Sequence, residues 1–371
     1  MKNKRLSLIL LGFSGLLLTV AASPLMSFLT PTTSQAPFHH NSMASPPDST
    51  VTIVAVGDIM MGTNFPSSRH LPPKGKLLLK PLESYLKSAD LTFGNLEGTV
   101  LNSGGQVKKC GDPSKCYAFR QPEYFADQLK DAGFDFLSLA NNHMGDFGAS
   151  GRTNTQKVLK NKKFHFAGLE SCPWDTTTIN GVKYGFTAFA PNSGCLKIND
   201  YARAQKIVRQ LNEMSDIVIV SFHGGAEGSS RTHVTKKTEI FLGENRGNVY
   251  QFARKVIDAG ADVVLGHGPH VTRALDCYKG RFITYSMGNF CTYARFNLRG
   301  ISGMAPLYQL KLAKDGRFIS GKVVSTKQVG EGGPKLDPAN GALGQIKSLT
   351  AKDIPELKVK FENDGSFTFQ N

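Results

Sequence analysis

Ile53-Val54-Ala55-Val56-Gly57-Asp58 sets a pattern that the chain repeats: a short apolar run that stops at residues able to bind a metal. Leu91-Thr92-Phe93 runs into Gly94-Asn95-Leu96-Glu97-Gly98. Phe136-Leu137-Ser138-Leu139 runs into Asn141-Asn142-His143 and then Asp146. Ile217-Val218-Ile219-Val220 runs into Phe222-His223-Gly224-Gly225 and then Glu227. Val263-Val264-Leu265 runs into Gly266-His267-Gly268-Pro269-His270. Short apolar runs bounded by such residues read as buried strands. Their recurrence predicts strands of one sheet, each delivering ligands from its carboxyl end to a shared site, the edge where open α/β sheets place their chemistry.

Helical patterns precede four of these runs, over 81–87, 122–132, 201–214 and 249–259. In the third, Tyr201, Ala204, Ile207, Val208 and Leu211 share a face; in the fourth, Val249, Phe252, Ala253, Val256 and Ile257 do. That spacing is the amphipathic period, and Gly133 and Gly260 stop two of the helices. Helix, turn and buried strand in repetition imply crossover units and largely parallel pairing. Hairpins are expected around Gly181, around Lys279-Gly280, around Asp315-Gly316 and around Asp364-Gly365, from their turn chemistry. Together these elements predict two packed sheets with helices outside, an α/β fold arranged as a four-layer α/β/β/α sandwich over residues 50–371.

The chain has 371 residues, with 40% apolar and 20% charged residues, enough to bury a core. Lys plus Arg outnumber Asp plus Glu by 44 to 29, a formal charge of +15. This surplus favours anionic partners. No aromatic-interleaved basic motif, helix-turn-helix or zinc-finger spacing is present, so nucleic acid is not the expected partner. Lys2, Lys4 and Arg5, an apolar run over 6–20 and Ala21-Ala22-Ser23 read as an export signal over 1–23, cleaved or retained as an anchor. A Pro/Ser/Thr-rich linker follows over 24–49. These features place the chain outside the cytoplasm, secreted or held at the cell envelope. Six cysteines follow the leader. Cys110–Cys116 is the favoured disulfide by proximity, and Cys172–Cys195 and Cys277–Cys291 are further candidate pairs.

Asp58, Glu97, Asn142, His223, His267 and His270 form a mixed carboxylate, amide and imidazole set. Such a set suits Mn, Fe or Zn better than Ca or Mg, and two ions would clamp a phosphoryl group and activate water. His143 is the candidate proton donor to a leaving oxygen. Asp146 and Glu227 are candidates for holding an imidazole in its tautomer. Asn95, Asn141 and Asn289 are candidate substrate contacts, Asn289 from Ser286-Met287-Gly288-Asn289-Phe290 at the end of another strand. Each residue also has a purely structural reading: a turn or cap for Asp58 and Asn141-Asn142, a solvated turn for Glu97, a hydrogen-bonded core position for each His. Their joint occurrence at strand ends favours the metal reading. His233 reads as a loop on the substrate side or as merely exposed, and residues 334–342 as a lid or a connector.

In family order across about residues 51–300, these blocks resemble the signature blocks of the CapA (PgsA) family of poly-γ-glutamate capsule biosynthesis proteins. The resemblance implies a fold similar to the calcineurin-like, metallo-dependent phosphatases, an extracytoplasmic location, and a role in making, exporting or processing an anionic polymer. Compared with those phosphoesterases, Met60 stands where the first block carries a His, the second block offers Asn95 and Glu97 in place of Gly-Asp-x-x-Asp, and the last two His are three apart. Two functions are therefore weighed. One is a metal-dependent hydrolase acting on a phosphoester or amide; the other is a non-catalytic component of a membrane capsule-synthesis complex that holds an anionic surface polymer. A secreted phosphate-scavenging hydrolase is a third reading, since fold alone names no substrate.

Overall fold

The computed structural model describes residues 50–111 and 116–370. The export signal expected over 1–23, the linker over 24–49 and the interior of the Cys110–Cys116 loop lie outside the described residues.

Strand β1 (Thr50–Met60) leads through the single-turn helix α1 (Glu83–Leu86) to β2 (Leu91–Leu96) and the two-residue strands β3 (Thr99–Val100) and β4 (Arg120–Gln121). Helix α2 (Tyr124–Asp131), β5 (Phe136–Ser138), α3 (Gly148–Asn161) and β6 (His165–Ala167) complete the first half. The hairpin β7 (Trp174–Ile179) and β8 (Val182–Phe189) opens the second. It continues through α4 (Tyr201–Met214), β9 (Ile217–His223), the small hairpin β10 (Ile240–Phe241) and β11 (Glu244–Asn245), α5 (Val249–Ile257) and β12 (Val263–His267). Then follow β13 (Leu275–Tyr278), β14 (Arg281–Thr284), β15 (Asn289–Thr292), β16 (Leu307–Ala313), β17 (Phe318–Val324), β18 (Thr326–Gln328) and β19 (Pro334–Leu336). Helix α6 (Gly341–Asp353) and the hairpin β20 (Val359–Phe361) and β21 (Ser366–Phe369) close the chain.

The first sheet has the order β20-β21-β17-β16-β1-β2-β5-β6, and β15 also pairs with β1. The second has the order β13-β14-β12-β9-β8-β7. In each, the central strands run parallel and antiparallel hairpins close an edge. The five strand-and-cluster units do not share one sheet, as their repetition suggested. β1, β2 and β5 lie in the first sheet, β9 and β12 in the second. The reason is the hairpin β7–β8, which interrupts the crossover series and starts a new sheet before β9.

Alternation along the strands builds the layers. In the second sheet Ile217, Ile219, Val263 and Leu265 belong to the core shared with the first sheet, whereas Val218, Val220 and Val264 pack with α4 and α5. Strands apolar on both faces are what a covered parallel sheet requires. Aromatic rings join the sheets: Phe186 of β8 meets Phe93 of β2 at 5.6 Å and Phe136 of β5 at 5.2 Å. On the outer face of the first sheet, Thr92 donates its hydroxyl to the Leu86 carbonyl of α1 at 2.5 Å. The result is the expected four-layer α/β/β/α sandwich.

Helices α4 and α5 match their sequence patterns and are capped by Asp200 and Asn248, whose side chains accept from Arg203 N and Gln251 N. The helix expected over 81–87 shrinks to one turn. Ser286-Met287-Gly288 is a connection, and Asn289 begins β15. Among the cysteines, Cys110–Cys116 is bonded, while Cys172, Cys195, Cys277 and Cys291 are free thiols. The pairs Cys172–Cys195 and Cys277–Cys291 are thus unbonded, Cys277 lying in the second sheet and Cys291 in the first. Residues 334–342 form β19 and a turn held by Asp337, which accepts from Ala339 N and Gly341 N. They are a connector into α6.

Candidate metal centre

The carboxyl ends of both sheets meet where β1 changes partners. Its first half pairs with β16 and its end with β15, Asp58 lying opposite Asn289. Gly57 allows this close approach: a Cβ there would overlap the Gly288 carbonyl, which accepts from Asp58 N at 2.9 Å. On the other sheet His223 and His267 are register partners at the ends of β9 and β12.

Asp58 is fully buried and acts as an orienting carboxylate. Its Oδ1 accepts from His267 Nδ1 at 2.9 Å and from Asn95 Nδ2 at 2.9 Å, and its Oδ2 accepts from His270 Nδ1 at 2.9 Å. Burial pushes its carboxyl up, but the hydrogen bonds and charges of the two imidazoles outweigh that and hold it well below the usual range. Donation from Nδ1 leaves Nε2 of each ring as the atom offered to a ligand. His267 Nε2 is buried and has no hydrogen-bond partner. His270 sits at φ 58°, and its Nε2 lies 3.5 Å from Glu97 Oε1. Burial opposes charge on His270, but Glu97, Asp58 and Glu227 raise its ring to about 10.

Glu97, just past β2, is fully buried with neither carboxylate oxygen hydrogen-bonded. Burial, and then the charge of Asp58, pushes its carboxyl well above the ordinary value. Both ring nitrogens of His223 are likewise buried and unpartnered, and burial, with Arg246 nearby, drives its ring well below the ordinary value. One ligand atom each from Glu97, His223 and His270 lie within 4.8 Å of one another. Asn142 Oδ1 and Asn289 Oδ1 are also buried without partners. Native proteins leave few buried polar atoms unsatisfied, so this concentration where the ends of the two sheets meet fits a bound cation. Carboxylate plus imidazole suits Mn, Fe or Zn.

The loop after β5 supplies the proton-transfer candidate. His143 Nδ1 donates to Asp146 Oδ2 at 2.8 Å, and its Nε2 lies 3.9 Å from Glu97 Oε1. Burial lowers its pKa against the pull of Asp146, so the neutral ring presents a lone pair. Asp146 is fixed in turn by Phe119 N at 2.7 Å and Lys108 Nζ at 2.5 Å. Asn141 is spent inside the protein. Its Nδ2 donates to Asn95 Oδ1 and to Leu96 O, and its Oδ1 accepts from His143 N and Met144 N. Asn95 and Asn141 thus shape the site and present no free group to a substrate. Asn289 Nδ2 reaches the His270 carbonyl at 3.3 Å.

Above these residues opens a cavity of about 900 Å³, lined by Asn142, His143, Glu227, His270 and Asn289 among others. Lys108, Lys109, Arg246 and Arg295 are the cations of its wall. Glu227 Oε1 pairs with Arg246 Nη2 at 2.9 Å, and Glu227 Oε2 lies 3.9 Å from His270 Nε2. His233 stands apart, paired with Asp353 at 2.7 Å. Sequence reading missed Lys108, Arg246 and the rings Phe119 and Phe296, because no local spacing marks them. The adjacent Lys108-Lys109-Cys110 was the one available hint.

Residues 52–294 match the family model of the bacterial capsule synthesis protein PGA_cap. The capsule biosynthesis protein CapA of Bacillus anthracis is 31% identical over 261 residues, which are 65% of this chain and 59% of that protein. The PGA biosynthesis protein CapA of Bacillus subtilis (strain 168) is 27% identical over 280 residues, 71% of this chain and 68% of that protein. Among solved structures, a 5'-nucleotidase precursor from Thermus thermophilus overlaps 84% of this chain and 61% of its own at a TM-score of 0.41 and 14% identity. The chain belongs to the bacterial capsule synthesis protein family.

Proposed function

We propose that this member of the capsule synthesis family is a divalent-metal-dependent hydrolase. It would act outside the cytoplasm on a phosphoester or amide bond in the making or processing of an anionic, poly-γ-glutamate-type polymer. One observation carries the reading: the Glu97 carboxylate is buried without a hydrogen bond, beside the two unpartnered nitrogens of His223 and within reach of His270. The His270 ring faces this carboxylate at 3.5 Å without giving it a hydrogen bond, and a bound divalent cation would satisfy it directly.

Glu97, His223 and His270 would hold one ion, and Asn142 and His267 would offer donors to a second, while Asp58 stays an orienting carboxylate. When bound, Mn, Fe or Zn there supplies a Lewis acid that polarises a substrate oxygen. The chain's own groups do the rest. Asp58 fixes the rings of His267 and His270. His143, held by Asp146, presents Nε2 to accept a proton or, once charged, to return one to a leaving group. Arg246 holds Glu227 at the cavity wall. The Cys110–Cys116 bond supports an oxidising, extracytoplasmic setting.

The second reading is a non-catalytic component of a membrane capsule-synthesis complex that holds the polymer. It is favoured by one feature: His267 and His270 already compensate Asp58, beneath a cavity wall rich in Lys and Arg. Hydrolysis of bis(p-nitrophenyl) phosphate by protein stripped with EDTA and then reloaded with Mn, Fe or Zn separates the two. Turnover that returns with metal and is lost in His143→Ala supports the hydrolase. A reloaded protein with no turnover on phosphodiester or γ-glutamyl amide probes sinks it in favour of the holding role.

A further inference from the structure

Past β15 the backbone does something expensive. Ala294 and Arg295 are consecutive non-glycine residues in the left-handed region, at φ 51° and 56°. L-residues rarely adopt this conformation, so the surrounding structure must impose the turn. It does so through Ala294 N, which donates to the Glu331 carbonyl at 2.7 Å, and Tyr293, whose hydroxyl bonds the Glu331 carboxylate. The turn aims Arg295 and Phe296 into the wall of the cavity.

That wall is a continuous strip of rings. Phe296 stacks on Phe119 with centroids 5.3 Å apart and meets His270 edge-on at 6.4 Å, while Phe119 lies 4.3 Å from the His143 ring. Tyr117, 44% exposed, continues the strip 6.5 Å from Phe119. The Arg295 guanidinium lies 4.9 Å from the Tyr117 ring centroid. Among the described residues no carboxylate pairs with Arg295. A guanidinium stacked on a ring keeps its edge N–H groups free to fork a carboxylate.

We infer that Tyr117, Phe119, Arg295 and Phe296 form a second binding position in the cavity, for the carboxylate and methylene stem of the polymer unit neighbouring the one held beside His143. This inference rests on the polymer assignment made above and assigns a residue-level role within it. The rings cover an apolar stem, and Arg295 captures the anion at its end. Selectivity for a chain over a single unit follows, because only a chain reaches both positions at once.

The test is calorimetric titration of the protein with a γ-linked tetraglutamate peptide, with free glutamate and with inorganic phosphate. The wild type is expected to bind the tetrapeptide roughly tenfold or more tighter than glutamate. Arg295→Gln and Tyr117→Leu should each cut that advantage to about threefold or less, with bound metal unchanged. A wild type with no preference for the tetrapeptide, or variants that keep the full preference, would overturn the inference. Because titration reads carboxylate binding without turnover, a failed hydrolase assay leaves this result separately interpretable.

Discussion

His270 Nε2 lies 3.5 Å from Oε1 of Glu97, a buried carboxylate that no hydrogen bond satisfies. Charge has been gathered here at the expense of the fold, which is the usual mark of a functional site. Glu97→Gln should therefore make the metal-stripped protein more stable as pH rises, by about 1 kcal/mol or more, since the amide replaces a carboxyl whose ionised form burial disfavours. Urea unfolding in EDTA measures this. A variant less stable than wild type under those conditions would show that Glu97 is satisfied within the protein.

Arg273 and Glu239 form a fully buried fork, with Nη1 and Nη2 each 2.8 Å from a carboxylate oxygen. Arg273 Nε also donates to the Arg231 carbonyl, and Glu239 accepts from Ala226 N. The pair thereby ties the loop bearing Glu227 to the segment after His270. Arg273→Met or Glu239→Gln alone should cost about 3–5 kcal/mol, because each strands a buried charged partner. The double variant should lose clearly less than the sum. Denaturation of all four proteins gives the coupling, and strict additivity would contradict it.

Gly57→Ala should be among the most damaging small substitutions in the chain. Its methyl would collide with the Gly288 carbonyl, parting β1 from β15 beside Asp58. The expected loss is on the order of 1–3 kcal/mol or more, with weakened metal retention. Thermal unfolding and metal analysis of the same sample check both; a neutral effect would contradict the strand contact.

Asp262 supplies a pH dependence away from the metal centre. Burial raises its carboxyl to about 6, although Val218 N and Arg281 favour the charged form. The folded state then binds a proton between about pH 4 and 6 that the unfolded chain has released. Its contribution to stability is present below the ordinary carboxyl value and is lost as pH rises through about 6, at up to roughly 1.4 kcal/mol per pH unit. Asp262→Asn should flatten that part of the stability profile relative to wild type. Parallel slopes for the two proteins across this interval would refute the assignment.

The ligand clusters were legible because each is local: an apolar run, a glycine and a polar residue within a few positions. Their convergence on a shared site was legible too, but which residues bond one another was not, since Asp58 meets His267 and His270 across 209 and 212 residues. Nor did local pattern reveal that β7–β8 splits the strands between two sheets. Helix α3 was invisible because Gly148, Gly151, Thr153 and Asn154 are poor helix formers. Packing overrides them: Thr155 Oγ1 accepts from Val100 N at 2.8 Å and Gly151 fits against Thr99. Arg273 and Arg246 were missed for a related reason, as a buried charge is recognised only by the partner that folding brings to it.

The measurement closest to the central claim is the metal content of the purified protein beside Glu97→Gln and His223→Ala. The account predicts near-stoichiometric Mn, Fe or Zn in the wild type and its loss in both folded variants. A folded wild type that stays metal-free after incubation with each of these ions would contradict it.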